Sequence, residues 1–441
     1  MEDHQESPRP RVSKRGKTFT YAVRPALALP VVVSLAHVGC VIETLHLRAC
    51  AADGAECASP VEVRTEVATP VGADGVLRFF AVGDAGVADG ADPTKMNGPA
   101  SVVLALVRRV CGAPAPSRAC DFGVFLGDNV YDHGVEDETR GRFLDGFAEA
   151  YSEGFTVPLY FVLGNHDYSP ITATTARARR ELARLETLSA SHDDRIRGRA
   201  HFFDFDAGVA HVAAWDTNYL VRVCEPAVGG APSCADGAAE TLAKATRHEA
   251  PFSIWLGHHP LRSNGEHGDA GDYEECFGAD LPGGRALCPS LWPGEALAAL
   301  AREHIVGKVD LALSGHDHTL QAFTGDGLGR TAVVVSGAGS KSNALTRGDR
   351  QRPGQFAVGG HLGFALVEAT NTHLRVALYG VPWKKGEPVP MLAEEDRLTP
   401  LHSLCKARGG PWRRCDGDAC CPALAPAPPS PLDAHGARSR P

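Results

Sequence analysis

An α/β fold of layered β-sheets flanked by helices is predicted for this 441-residue chain, and three observations predict it. First, short apolar runs recur from Leu77 onward: LRFFAVGD, DFGVFLGD, PLYFVLGN, HVAAWDT, FSIWLGHH, VDLALSGH and TAVVVSGAG. Each is rich in Val, Ile, Leu, Phe, Ala or Trp and closes on Gly or a polar group, the pattern of strands buried on both faces. Second, helical stretches lie between the runs, at residues 100–110, 138–151, 176–188 and 294–304, and strands alternating with helices give a layered sheet. Third, five of the runs end in Gly-Asp, Gly-Asn or Gly-His. No internal repeat of fixed period is present.

Composition agrees with a folded chain. A 44% hydrophobic and 22% charged sequence can bury one large core or two ordinary ones. The net charge of −9 provides no basic footprint, so nucleic acid is not expected as a dedicated partner. Residues 1–40 read as a targeting segment: Arg9, Arg11, Lys14, Arg15, Lys17 and Arg24 lead into the apolar run Ala26 to Val38, which is short for a bilayer span. An exported protein is expected, whether secreted, periplasmic or held at the cell surface. The run ends at Gly39-Cys40, which resembles a bacterial lipoprotein processing site except that His37 stands where an aliphatic residue is usual. Membrane attachment through a lipidated Cys40 and ordinary cleavage both stay open.

The flanks divide the chain further. Residues 41–75 read as a linker or small Cys-containing appendage, 76–385 as the main domain, and 386–441 as a Cys-containing tail ending in the Pro- and Ala-rich ALAPAPPSPL. Thirteen cysteines include the close pairs Cys50/Cys57, Cys111/Cys120, Cys224/Cys234 and Cys276/Cys288, which suit local disulfides in an oxidising compartment. For Cys405, Cys415, Cys420 and Cys421 the alternative is a zinc cluster. Disulfides are the preferred reading, because paired C-x₂-C spacing is missing there.

The polar residues that close the runs carry the chemistry. Asp84, Asp128, Asn165, His258 and His316, with His318 two residues on, all fall where loops leave strands, the place where open α/β sheets bind ligands. Asp, Asn and His are oxygen and nitrogen donors for hard or borderline metals. Taken singly, a Gly-Asp after a strand is more often a turn or helix cap, and a lone His in an apolar run a satisfied core residue. The ordered set is what departs from chance.

The ordered blocks GDAG (83–86), GDNVY (127–131), GNHD (164–167), GHHP (257–260) and GHDH (315–318) resemble the metallophosphoesterase signature. Tyr131, three residues after Asp128, narrows the resemblance to purple acid phosphatases of the small tartrate-resistant type. GEHG (265–268) and SGAG (336–339) agree with it, over about residues 77–380. The resemblance implies layered sheets with metal ligands on loops at the strand C-termini. It implies iron(III) held by Asp84, Asp128, Tyr131 and His318, and a second divalent metal, Fe, Zn or Mn, held by Asp128, Asn165, His258 and His316, with Asp128 bridging. His166 and His267 match histidines that orient the phosphate and protonate the leaving group. The implied activity is hydrolysis of small phosphomonoesters by metal-bound hydroxide, with an acidic optimum because a trivalent ion acidifies its water more than zinc does.

Other readings stay open beside that one. They are a phosphodiesterase or nucleotidase on the same scaffold, or a catalytically lapsed surface phosphate- or metal-binding protein. Two local departures from the family pattern matter. His258 and His259 are adjacent where the family has one His, and His258 is taken as the ligand because it directly follows Gly257. Ala85 stands where mammalian-type proteins carry a bulky aromatic. Cys276 and Cys288 are expected to close a loop near the cleft.

Overall fold

The computed structural model describes residues 63–66, 68–69, 74–112, 119–168, 175–222, 250–270, 293–325, 327–346, 355–392, 398–415 and 421. All lie in the compact unit Ala55–Pro441, and the other unit, Met1–Gly54, lies outside the described residues. So do the expected targeting segment, Cys40, the Pro/Ala-rich terminus and the pairs Cys50/Cys57, Cys224/Cys234 and Cys276/Cys288.

Among the described residues, sixteen strands form two eight-stranded sheets. The first contains, in spatial order, β1 (Val63–Thr65), β6 (Phe202–Ala207), β7 (Ala210–Trp215), β8 (Phe252–Gly257), β9 (Leu311–Ser314), β11 (Ala332–Ser336), β10 (Leu320–Phe323) and β12 (Phe356–Val358). The second contains β16 (Arg413–Arg414), β15 (His402–Ala407), β14 (His373–Pro382), β13 (His361–Ala369), β2 (Leu77–Val82), β3 (Phe122–Leu126), β4 (Leu159–Val162) and β5 (Ile196–Arg197). Strands β7, β8, β9 and β11 run parallel in one sheet, and β2, β3, β4 and β5 in the other. The remaining pairings at the outer parts are antiparallel, apart from β1 with β6.

Each of the seven apolar runs is a strand, and each is apolar on both faces because both are covered. In β2, Phe79 and Ala81 enter the core between the sheets, whereas Phe80 and Val82 face the helical layer. In β8, Ile254 and Leu256 point inward and Trp255 outward. The inner core joins the sheets directly, with Tyr160 of β4 stacked on Phe205 of β6 at 3.9 Å between ring centroids. Burying each such side chain contributes roughly 1.5–3 kcal/mol.

Helices Gly98–Cys111, Glu138–Gly154 and Ala176–Ser191 cover the outer face of the second sheet through Val103, Leu106, Phe143, Phe147 and Leu185. The first two start where Asn97 and Asp137 accept bonds from the amides of Ala100 and Arg140, the usual satisfaction of orphan N–H groups. Helix Pro293–Leu300 and the π-helical turn Ala301–Ile305, with the short helix Thr217–Arg222, cover the outer face of the first. No described helix is long and apolar enough to cross a membrane.

The sheets reach beyond the expected main domain of 76–385. β1, in the segment read as a linker, pairs in parallel with β6. β15 and β16, in the segment read as a tail, extend the second sheet from β14. That segment is also tied into the core by charge: Lys406 Nζ lies 2.6 Å from Asp310 Oδ1, both nearly fully buried, and Trp412 Nε1 donates to the Asp310 carbonyl at 3.1 Å. Disulfides join Cys111 to Cys120 and Cys405 to Cys421. The second places two of the four tail cysteines in a disulfide.

Candidate metal centre

The parallel strands end at one edge of the double sheet, and the polar residues that follow them meet there. Asp84 follows β2, Asp128 follows β3, Asn165 follows β4, His258 follows β8, and His316 and His318 follow β9. The turns are tight. Asp84, Asp128 and His316 adopt positive φ of 60°, 57° and 69°, a region that is costly for residues other than Gly and concentrates at functional sites. The surrounding loops hold them there: Asp84 N donates to Gly127 O at 3.0 Å, and Gly83 N to Ser336 O at 2.8 Å across the two sheets. At Gly164 only glycine fits, because a Cβ would sit 2.3 Å from Asp128 Oδ1.

Two groups of donor atoms form, with Asp128 between them. In the first, Tyr131 Oη donates to Asp84 Oδ1 at 2.9 Å and lies 3.1 Å from His318 Nε2, which is 3.4 Å from the same carboxylate. In the second, Asn165 Oδ1 lies 2.9 Å from both His258 Nε2 and His316 Nδ1, and the two ring nitrogens are 3.2 Å apart. Asp128 Oδ1 is 3.3 Å from His258 Nε2, and its carboxylate interacts electrostatically with the Tyr131 phenol. Ligand atoms of Asp84, Asp128 and His258 all fall within 4.8 Å of one another.

Hydrogen bonds behind these groups orient them. His258 Nδ1–H donates to Leu126 O at 2.8 Å, which leaves Nε2 as the lone-pair nitrogen turned toward Asp128 and Asn165. His259 turns elsewhere: its Nδ1 pairs with Thr217 Oγ1 at 2.8 Å, and Thr217 also accepts from the His258 and His259 amides. Of the two adjacent histidines, His258 therefore faces the cluster's carboxylate and amide oxygens.

Both histidines expected to serve catalysis flank the cluster. His166 packs on Tyr131 with centroids 4.4 Å apart, gives its amide to Asp128 Oδ1 at 2.9 Å and donates Nδ1–H to Asp132 O at 2.6 Å. His267 is exposed and packs on the His316 ring at 4.0 Å. All nine predicted residues are thus brought together.

The electrostatics describe a place built for positive charge. Burial, then the Asp128 and Asp84 carboxylates, push the Tyr131 phenol well above its ordinary range. Burial opposes ionisation of Asp128, but His258 and His166 outweigh it and hold that carboxyl below the usual range. His316 is pushed well down by burial and by four neighbouring imidazoles, which keeps it neutral and able to ligate. Buried carboxylates, a phenol, an amide oxygen and neutral imidazoles suit hard or borderline cations.

Four residues that position this site were not singled out from the sequence. Asp167 accepts from the amides of Asn129 at 2.8 Å, Val130 at 2.9 Å and Gly164 at 2.7 Å, so one carboxylate joins the loops that carry Asp128 and Asn165. Asp317 accepts from the His267 amide at 3.1 Å and from the Ser263 hydroxyl. Both lie inside the quoted blocks GNHD and GHDH, so the blocks themselves were a signal. Thr217 and Lys341 had none beyond their nearness to such blocks.

Fold and site together define a metal-dependent phosphoesterase, and the comparisons agree. The model of the calcineurin-like phosphoesterase family matches residues 77–320, more than half of the chain, and the chain belongs to that family. Among curated relatives, purple acid phosphatase 4 of Arabidopsis thaliana is 29% identical over 278 residues, covering 59% of this chain and 70% of that protein. Tartrate-resistant acid phosphatase type 5 of Sus scrofa is 27% identical over 339 residues, covering 72% and 87%. A solved structure described as GAP50, the anchor in the inner membrane complex of Plasmodium, matches at 20% identity with a TM-score of 0.43, covering 71% of this chain and 86% of that one.

Proposed function

We propose that this protein is an acid phosphatase acting on small phosphomonoesters through a binuclear centre of iron(III) and a divalent metal. The observation that carries the reading is the sharing of Asp128 between two donor groups, Asp84, Tyr131 and His318 on one side and Asn165, His258 and His316 on the other. The first group, with its phenol, suits the trivalent ion, and the second suits Fe, Zn or Mn in the divalent state. The cations, when bound, supply Lewis acidity for the phosphoryl oxygens and an activated water for in-line displacement.

The chain's own residues do the rest. Asp128, between the two donor groups, would contribute its carboxylate to both cations and balance their charge. His166, fixed through Nδ1–H to Asp132 O beside the cluster, is left with Nε2, which in its protonated form would donate to the leaving alkoxide. His267, at the exposed rim, orients the phosphate. The disulfides Cys111–Cys120 and Cys405–Cys421 support an exported location.

The test is hydrolysis of a phosphomonoester against a bis-ester, with metal content measured on protein purified without chelators. Two metal ions per chain and monoester preference are expected, and Asp128→Asn is expected to abolish turnover and deplete both metals. A clear diester preference would replace the monoesterase with a phosphodiesterase. Two bound metals without turnover on any phosphoester would make the protein a binder.

A further inference from the structure

The loop after β11 reaches the centre and carries a cation just beyond the SGAG block. Its backbone is tied to both metal loops: Gly339 N donates to Gly83 O at 3.1 Å, Ser340 Oγ donates to Asp84 O, and Asn343 N donates to His318 O at 2.9 Å. Lys341 stands between these anchors. Its ammonium lies 3.3 Å from the centroid of the Tyr131 ring, and its side chain is 30% exposed. It pairs with Asp132 Oδ1 at 3.8 Å, whose side chain is 68% exposed, a pair long and wet enough to hold the ammonium only weakly.

We propose that Lys341 is a phosphate-contacting, specificity-determining residue, whose ammonium receives the unesterified oxygen that a phosphomonoester has and a diester lacks. The inference rests on the phosphatase reading above. An ammonium is a compact donor with three N–H groups, and on a flexible stem it can leave the Tyr131 ring and Asp132 for a phosphate oxygen without moving the anchored backbone. A diester presents two unesterified oxygens instead of three, so the same lysine gives it less. Lys341 thereby favours monoesters through binding of the phosphoryl group, separately from the residues that hold metal.

The experiment is calorimetric titration of inorganic phosphate into metal-loaded wild type, Lys341→Met and Lys341→Arg at matched metal content, with kcat/KM for a monoester and a bis-ester on the same samples. Loss of one charged contact is expected to weaken phosphate binding about tenfold or more in Lys341→Met. Lys341→Arg should recover part of that loss. The monoester-to-diester ratio should fall in Lys341→Met because monoester kcat/KM drops more than the diester value. Equal phosphate affinity in wild type and Lys341→Met would overturn the assignment, as would a wild type that binds no phosphate. A wild type that binds phosphate but hydrolyses no ester would instead defeat the phosphatase reading, while the affinity difference would still judge Lys341.

Discussion

Tyr131 and the pair His258/His259 show how single residues divide the work. The Tyr131 phenol bonds Asp84 and lies against His318, in surroundings that disfavour its ionisation until positive charge arrives. Bound to iron(III) as phenolate, it would give a visible charge-transfer colour. Protein purified without chelators is therefore expected to be pink or purple, and Tyr131→Phe to be colourless yet active, since Asp128 and the second donor group are untouched. A colourless wild type with full iron would refute the tyrosinate assignment. For the histidine pair, His259→Ala removes a ring held by Thr217 and packed on His316 at 4.4 Å, and should lower activity by no more than about 10–100-fold. His258→Ala removes the nitrogen that faces Asp128 and should cost more, and kinetics showing the reverse order would move the ligand by one residue.

At the scale of elements, the loops after β3 and β4 are joined by a buried acidic pair that titrates with pH. Asn129 Nδ2 donates to Glu181 Oε1 at 3.1 Å and to Asp167 Oδ2 at 3.3 Å, which sets the helix Ala176–Ser191 behind the metal loops. Burial raises Glu181 from 4.5 to about 8, and burial with Glu181 and Asp128 nearby pushes Asp167 up as well. A carboxyl with a raised folded-state pKa binds more protons folded than unfolded, so its contribution is full below the unfolded value and is lost as pH rises toward the folded one. The stabilising contribution of Glu181 to the metal-free protein should be lost between pH 4.5 and about 8, against an opposite contribution from His316, and the difference between wild type and Glu181→Gln isolates it. Glu181→Gln should flatten that slope, as read by thermal unfolding across this range. An unchanged slope would mean that other groups carry it.

At the scale of the whole molecule, the buried pair Lys406–Asp310 links the two sheets. Asp310 immediately precedes β9 of the first sheet, and Lys406 belongs to β15 of the second. Arg330 also reaches Asp310, with Nε at 3.1 Å. Truncating one partner of a buried pair leaves an under-compensated charge, so Lys406→Ala should lower stability by about 3 kcal/mol in chemical denaturation of the metal-free protein. A loss indistinguishable from zero would show that Arg330 suffices. The same contact explains why a segment that reads as a polar tail belongs to the sheet: its role depends on a partner almost a hundred residues away.

The sequence by itself determined the seven strand runs and the four main helical stretches and singled out nine side chains that the fold brings to one edge of the sheets, because each is written in local signals. Apolar runs closed by Gly-Asp or Gly-His mark strand ends directly, and the order of the blocks supplied the rest. The tertiary structure decided what local pattern cannot encode. β1 and β16 are short and β15 carries no apolar run, and they become strands by pairing with β6, β15 and β14 respectively. Asp167, Asp317, Thr217 and Lys341 gain their roles from amides, hydroxyls and a ring supplied by other loops. Which of two adjacent histidines faces the carboxylates was decided by a hydrogen bond from His258 to Leu126, made only when the two sheets come together, and by one between His259 and Thr217, made only when β7 and β8 pair.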